Sequence, residues 1–302
     1  MRFTIFQDSQ VGDRQGNEDR VAYSYGRDVL LMVIADGMGG HADGEIAAQI
    51  AVADITRRFQ QEARNRVQRP FEFLVSAIQS AHRAIVSYAD SRNMLECPRT
   101  TCVACIVQAG RAFWAHAGDS RLYVLRDGEL VARTQDHSKV QQMIDAGRLT
   151  AEAAARHPDR NKIYSCLGGV IPPQIDIGHD VRLETGDTVV LSTDGFWTQI
   201  PPQVLGTMLK RQPITTLLPS LIAEAHRRAQ GESDNISVVA MTWENQEDSA
   251  VSDTLSMDEE QFATSMNTTQ PLGRDGPAED VTDDEIERAI AEIQSAIRKV
   301  PR

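Results

Sequence analysis

Long apolar runs are missing from this chain: no stretch approaches the roughly 20 residues that a bilayer-spanning helix requires. A basic excess is missing as well. With 31 Lys+Arg against 43 Asp+Glu and a formal net charge of −12, the sequence offers no positive field to nucleic acid or to anionic lipid, so neither nucleic acid nor membrane is expected as a partner. The opening MRFTIFQDSQ lacks the charged-then-apolar pattern of a secretory signal, and a cytoplasmic location is expected. Cysteine is scarce. Its four copies, Cys97, Cys102, Cys105 and Cys166, fit a reducing compartment. Cys102 and Cys105 stand in C-x2-C spacing, but no second pair follows at zinc spacing, which points to core thiols.

The acidity is uneven, and its placement divides the chain. Residues 244–302 hold 15 Asp+Glu against 5 Lys+Arg, leaving 28 against 26 for residues 1–243. The charge belongs to the tail. An apolar content of 41% gives residues 1–243 ample material for a core, whereas 244–281 are poor in large apolar groups and read as an acidic, disordered linker. Order is expected to return over 282–302. Thr282-Asp283-Asp284-Glu285 forms a capping box, and Ile286, Ile290, Ile293, Ile297 and Val300 make one stripe of an amphipathic helix. Two heptads do not hold together unaided, so the helix either packs on its own domain or serves docking or dimerisation. In the linker, Thr268-Thr269-Gln270-Pro271-Leu272 is a candidate phosphorylation site.

Chemistry announces itself between Val29 and Ala51. Val29 to Ala35 is a continuous apolar run of strand length, which implies cover on both faces. Asp36 follows at its carboxyl end, where a side chain reaches a cleft and not the core. Gly37, Gly39 and Gly40 then let the backbone come close to a ligand, and a helix starts near Asp43 with Ile46, Ala47, Ile50, Ala51 and Ile55 on one face. The same loop fits the loose dinucleotide fingerprint. Charge argues against it, because a pyrophosphate would meet Asp36 and Asp43 with no nearby Lys or Arg, while a hard divalent cation wants those oxygens.

Downstream, two helices (about 44–65 and 70–90) precede a run of strands from Thr100, with Ala109-Gly110 and Asp127-Gly128 as two-residue turns. Tight turns of that kind join antiparallel neighbours and exclude a doubly wound parallel sheet. Residues 136–170 are less regular and read as a surface excursion, a candidate flap over a cleft. Strand returns over Thr185–Thr193, helix over Pro202–Leu209 and Leu217–Gln230, and a last strand closes the domain near Trp243. Asp36, Asp119, Asp194 and Asp234 each stand where a strand meets a loop or helix. Any one of them alone suits a turn. Four gathered at one sheet edge would repel, and Mg2+ or Mn2+ resolves such repulsion with hard oxygen ligands and waters.

Eight motifs in order then carry a resemblance: Arg14-x-x-Asn17-Glu18-Asp19; Ala35-Asp36-Gly37-Met38-Gly39-Gly40-His41 with Gly44-Glu45; Thr100-Thr101; Gly118-Asp119-Ser120-Arg121; Asp136-His137-Ser138; Leu167-Gly168; Ser192-Thr193-Asp194-Gly195-Phe196; and Asp234-Asn235-Ile236-Ser237. Over about residues 3–243 the chain resembles the bacterial branch of the PPM family of metal-dependent serine/threonine protein phosphatases. The resemblance implies an α+β fold, a four-layer α-β-β-α sandwich of two antiparallel sheets flanked by helices, with a two-metal cleft at one edge. It implies that Asp36 bridges two ions (Mg2+ or Mn2+), that Gly37 lends a carbonyl, and that Asp194 and Asp234 complete the first metal site. Glu18 would act through water, Asp119 with Asp194 would match a third, weaker position, and Arg14 would hold the substrate phosphate. Phosphorylated proteins are the implied substrates and a cognate Ser/Thr kinase the implied opponent. Some members carry His directly after the Asp-Gly pair; here that position is Met38, so His41 is the nearby candidate for proton transfer, with water as its rival. Cys166 likewise stands where Arg or Ala is commoner. Two other functions stay open: a metal-dependent phosphatase of a small metabolite, and an inactive phosphopeptide-binding module of the same fold, against which the retention of four Asp and Arg14 argues.

Overall fold

Two strands, β1 (Arg2–Gln10) and β2 (Arg20–Tyr25), flank the polar loop that carries Arg14, and β3 (Val29–Ala35) is the continuous apolar run, buried along its whole length. The computed structural model describes residues 1–38, 43–63, 66–244 and 262–267. Successive side chains of a strand point to opposite faces. In β3, Leu30, Met32 and Ile34 enter the core between the sheets, whereas Leu31, Val33 and Ala35 enter the core beneath the helices. With apolar partners on both sides, the strand has no reason to alternate.

A short β4 (Gly37–Met38) leads to α1 (Asp43–Glu62) and α2 (Pro70–Ser91), the latter with Pro70 in its first turn, where the missing N–H costs nothing. Next come β5 (Arg99–Thr100), β6 (Cys102–Gln108), β7 (Arg111–Ala117), β8 (Arg121–Arg126) and β9 (Glu129–Arg133). Ala109 and Gly110, and again Asp127 and Gly128, adopt positive φ, as two-residue hairpins of the primed type require. The surface excursion contains α3 (Lys139–Asp145) and α4 (Ala151–Ala154), then β10 (Asp176–Ile177) and β11 (Val181–Arg182). The domain finishes with β12 (Thr188–Ser192), α5 (Asp194–Trp197), α6 (Pro202–Leu209), α7 (Ile214–Arg228) and β13 (Ile236–Glu244).

Among the described residues every strand pairing is antiparallel. One sheet has the order β1-β13-β12-β8-β9, and the core of the larger sheet runs β7-β6-β3-β2. Their inner faces meet through residues such as Met32, Trp114, Val124, Leu191 and Met241. Helices α1 and α2 cover the outer face of the larger sheet, and α5, α6 and α7 cover that of the other. The chain is therefore the four-layer α-β-β-α sandwich that its sequence implied. Cys102 and Cys105 belong to opposite faces of β6, one in each core, so they do not form a metal-binding pair.

At Gly118-Asp119-Ser120 the chain crosses between sheets, because β7 lies in the larger sheet and β8 in the other. Two elements depart from the sequence reading. Thr185 to Asp187 stay outside β12, because Asp187 turns back on Glu184 and accepts two hydrogen bonds from Arg126. Within the stretch expected to be linker, β14 (Ala263–Asn267) pairs with β2 along the edge of the larger sheet. Phe262 sits edge-on to Phe59 at 5.5 Å, and the Thr264 hydroxyl meets Ser24 at 2.8 Å and Gln60 at 2.7 Å. A small polar segment thus docks through backbone pairing and one aromatic anchor, a route that composition does not register. The helix expected over 282–302 and the Thr268-Thr269 pair lie outside the described residues. Among the described residues no helix is long and apolar enough to cross a membrane.

Candidate active site

Both sheets deliver acidic side chains to one rim. Asp36 follows β3, Asp119 sits at the crossing between sheets, Asp194 opens α5 directly after β12 and Thr193, and Asp234 precedes β13. These four line one cleft of about 1010 Å3 with Arg14, Glu18 and Gly37. Seven of the eight residues singled out in the sequence are thereby brought together. His41 lies outside the described residues.

Backbone contacts fix the floor. The Asp36 N–H donates to the Thr101 hydroxyl at 3.0 Å, and its carbonyl accepts from the Thr101 N–H at 2.8 Å and the Thr100 hydroxyl at 2.9 Å. Gly37 donates to the Glu18 carbonyl at 3.2 Å. Glycine is required at Gly37 by close approach: a Cβ there would stand 2.3 Å from the Gly44 carbonyl oxygen and 2.7 Å from that of Glu18. The loop between β1 and β2 is tied down by Asn235, whose amide donates to the carbonyls of Val11 (2.8 Å) and Gly16 (3.0 Å) and whose oxygen accepts from the Glu18 N–H (2.8 Å). Arg14, exposed at the rim, reaches Asp234 at 2.8 Å.

The electrostatics are those of a cluster short of positive charge. Burial, and then the fields of Asp19, Asp194, Asp119 and Asp234, push the Asp36 carboxyl well above its usual range. Burial followed by Asp194 raises Asp119 to about 8, and burial followed by Asp234 raises Asp194 to about 6. Arg14 acts the other way on Asp194, and Asp234 in turn holds the Arg14 proton more firmly.

Residues 7–243 match the family described as Protein phosphatase 2C. The chain belongs to the protein phosphatase 2C family. Protein phosphatase PhpP of Streptococcus pneumoniae is 32% identical over 237 residues, covering 78% of this chain and 94% of its own. The serine/threonine phosphatase of S. agalactiae superimposes with a TM-score of 0.71 at 29% identity, over 80% of this chain and 100% of its own. The catalytic domain of the serine/threonine protein phosphatase PstP, solved with two manganese ions, gives a TM-score of 0.65 at 29% identity, over 81% and 98%.

In this protein phosphatase 2C chain the donor set suits hard divalent ions. It offers carboxylate and carbonyl oxygens, and the burial and mutual repulsion that raise Asp36, Asp119 and Asp194 are what a cation offsets. Among the described residues no group of three or more Asp, Glu, His or Cys side chains is already gathered closely enough to hold a metal ion by itself. Mg2+-like ions keep several waters and take one or two carboxylates each, so a closed cage is not what they need. Two residues of the quoted motifs that were not among the ligand candidates contribute as well. Asp19 is buried, accepts from Thr193 at 2.8 Å, and is raised to about 7, first by burial; Asn235 clamps the Arg14 loop. Both stand beside ligand candidates, Glu18 and Asp234, and both are buried. From the surface excursion, Asn161 and Ile163 line the same cleft, as a flap would.

Proposed function

We propose that the chain hydrolyses phosphoserine and phosphothreonine esters of proteins with Mg2+ or Mn2+ as cofactor, opposing a Ser/Thr kinase in the bacterial cytoplasm. The observation that carries this reading is the convergence of Asp36, Asp119, Asp194 and Asp234 on one cleft with Arg14 at its rim. The ions, when bound, supply Lewis-acid charge that acidifies a water and offsets charge on the phosphoryl oxygens. Asp36, Asp194, Asp234 and the Gly37 carbonyl would hold two of them, Glu18 would contribute through water, and Asp119 with Asp194 would hold a third.

Arg14 presents a planar pair of donors to the phosphate from the open side of the cleft. In doing so it trades the Asp234 carboxylate for a phosphoryl oxygen, so its charge is available where negative charge develops during in-line displacement. Asp36 is held rigid by Thr100 and Thr101, which limits the motion of the carboxylate that the ions would share. A phosphothreonine peptide tests the reading. Turnover is expected with Mn2+, and is expected to vanish with a chelator and in Asp36→Asn. A small phosphosugar turned over faster than any phosphopeptide would instead favour a metabolite phosphatase.

A further inference from the structure

The Arg14–Asp234 pair has a second pair directly beside it. Asp13 precedes Arg14, Ser233 precedes Asp234, and the two are joined in both directions: the Asp13 N–H donates to the Ser233 carbonyl at 3.1 Å, and the Ser233 N–H donates to one Asp13 carboxylate oxygen at 2.8 Å. The other carboxylate oxygen faces the Nε2 atom of His226 at 3.1 Å, in the last turn of α7. One side chain therefore links the loop that bears Arg14, the segment that bears Asp234, and the helix packed outside them. Neighbouring Gly12, at φ +62°, lies so close that a Cβ would stand 2.2 Å from the Asp234 carbonyl oxygen. The Ser233 N–H and then the imidazole hold the Asp13 carboxyl below its usual range, as expected for an anion with donors on both oxygens.

Arg14 itself has little else to fix it. Its side chain is 59% exposed, and its contact with Asp234 is the one that an arriving phosphate displaces or shares. What stays in place during that exchange is the backbone on either side: Asn235 grips Val11 and Gly16, and Asp13 grips Ser233 and His226. From this geometry we infer that Asp13, seated between Ser233 and His226, is a positioning residue that sets where Arg14 meets the substrate phosphate. The inference rests on the phosphatase reading of the cleft. Asp13 lines the same cleft, but Ser233 and His226 engage its two carboxylate oxygens, so its route to the phosphate is through the placement of Arg14.

The test uses the full chain, a phosphothreonine peptide with Mn2+, and inorganic phosphate as a competing ligand. Asp13→Ala is expected to raise both KM and the inhibition constant of phosphate about tenfold, the order of one charge-assisted hydrogen bond, while kcat changes by less than about threefold. Asp13→Asn keeps an oxygen for the Ser233 N–H and is expected to recover part of the loss. In an Arg14→Ala background, Asp13→Ala is expected to add less than about twofold, because residues acting through one another are not additive. A KM unmoved by Asp13→Ala, a loss confined to kcat, or full additivity with Arg14→Ala would overturn the assignment. If Asp13→Ala fails to fold, Asp13→Asn and His226→Gln carry the same comparison. If the wild-type chain shows no Mn2+-dependent turnover, the phosphatase reading has failed, and calorimetric binding of inorganic phosphate to the same variants still decides the role of Asp13.

Discussion

Stripping the ions from this protein should make it less stable as the pH rises, opposite to the behaviour of a carboxylate held in an ion pair. Asp194 is raised to about 6, Asp19 to about 7 and Asp119 to about 8, with burial the leading cause in each. A carboxyl whose folded pKa exceeds its unfolded value keeps a proton in the native state that the unfolded chain has released. Its contribution is therefore whole below about pH 4 and is lost as the pH climbs through 6 to 8. For Asp194, moving from 3.8 to about 6 corresponds to about 3 kcal/mol at about 1.4 kcal/mol per pH unit. Protonating one member relieves its neighbours, so Asp194 alone sets the scale. Somewhat less than half of that energy, about 1.4 kcal/mol, is lost between pH 5 and pH 8, which in a domain of this size amounts to about 3–6 °C in Tm. Scanning calorimetry of chelator-treated protein at pH 5 and pH 8 measures the drop, and Mn2+ should restore more stability at pH 8 than at pH 5, each site adding about 2.7 kcal/mol at a hundredfold excess over its Kd. Asp36→Asn, which removes one carboxyl from the mutually repelling cluster, should raise the Tm of the ion-free protein at pH 8 while abolishing turnover. An ion-free Tm that rises from pH 5 to 8, or an equal Mn2+ increment at both, would refute the reasoning.

Other perturbations probe the scaffold beneath the cleft. Gly37→Ala drives a Cβ into three backbone atoms of Gly44 and Glu18 and should cost about 3 kcal/mol, at the upper end of overpacking effects; a denaturant midpoint unchanged from wild type contradicts the close approach. Gly44→Ala meets first the Glu18 carboxylate, a side-chain end that can move, so its Tm should fall less than that of Gly37→Ala while metal affinity drops; titration of activity against Mn2+ checks this. Asn235→Ala leaves the Gly16 carbonyl and the Glu18 N–H without partners and the Val11 carbonyl with only the Arg14 N–H at 3.4 Å, and should cost about 2–4 kcal/mol, together with a raised KM; wild-type values for both would show that the loop holds itself.

The core of the fold was legible because its signals are local. β3 reads directly from Val29 to Ala35, and the hairpins at Ala109-Gly110 and Asp127-Gly128 follow from residues that accept positive φ. The acidic ligand candidates were legible because carboxylates at strand ends have few structural uses in number. What stayed hidden depends on the other side of the molecule. Nothing near Asp119 says that β7 and β8 part into different sheets, since that choice is made by which inner face needs Leu122 and Val124. Asp19 looks like any loop carboxylate until Thr193 closes over it. β14 has no apolar period of its own, and its place is set by the open edge of β2.

That edge has a practical consequence. Family likeness ends at Trp243, an inviting place to cut the chain for crystals or assays. A protein shortened there would expose the outer N–H and C=O groups of β2 from Val21 to Tyr25, beside the stacked rings of Tyr23 and Tyr25, and would take the aromatic cover of Phe262 off Phe59. Naked strand borders of this kind recruit strands from neighbouring molecules. Trimmed versions ending near 243 should therefore self-associate where those ending after 267 remain dispersed, a contrast that light scattering at matched concentration would register.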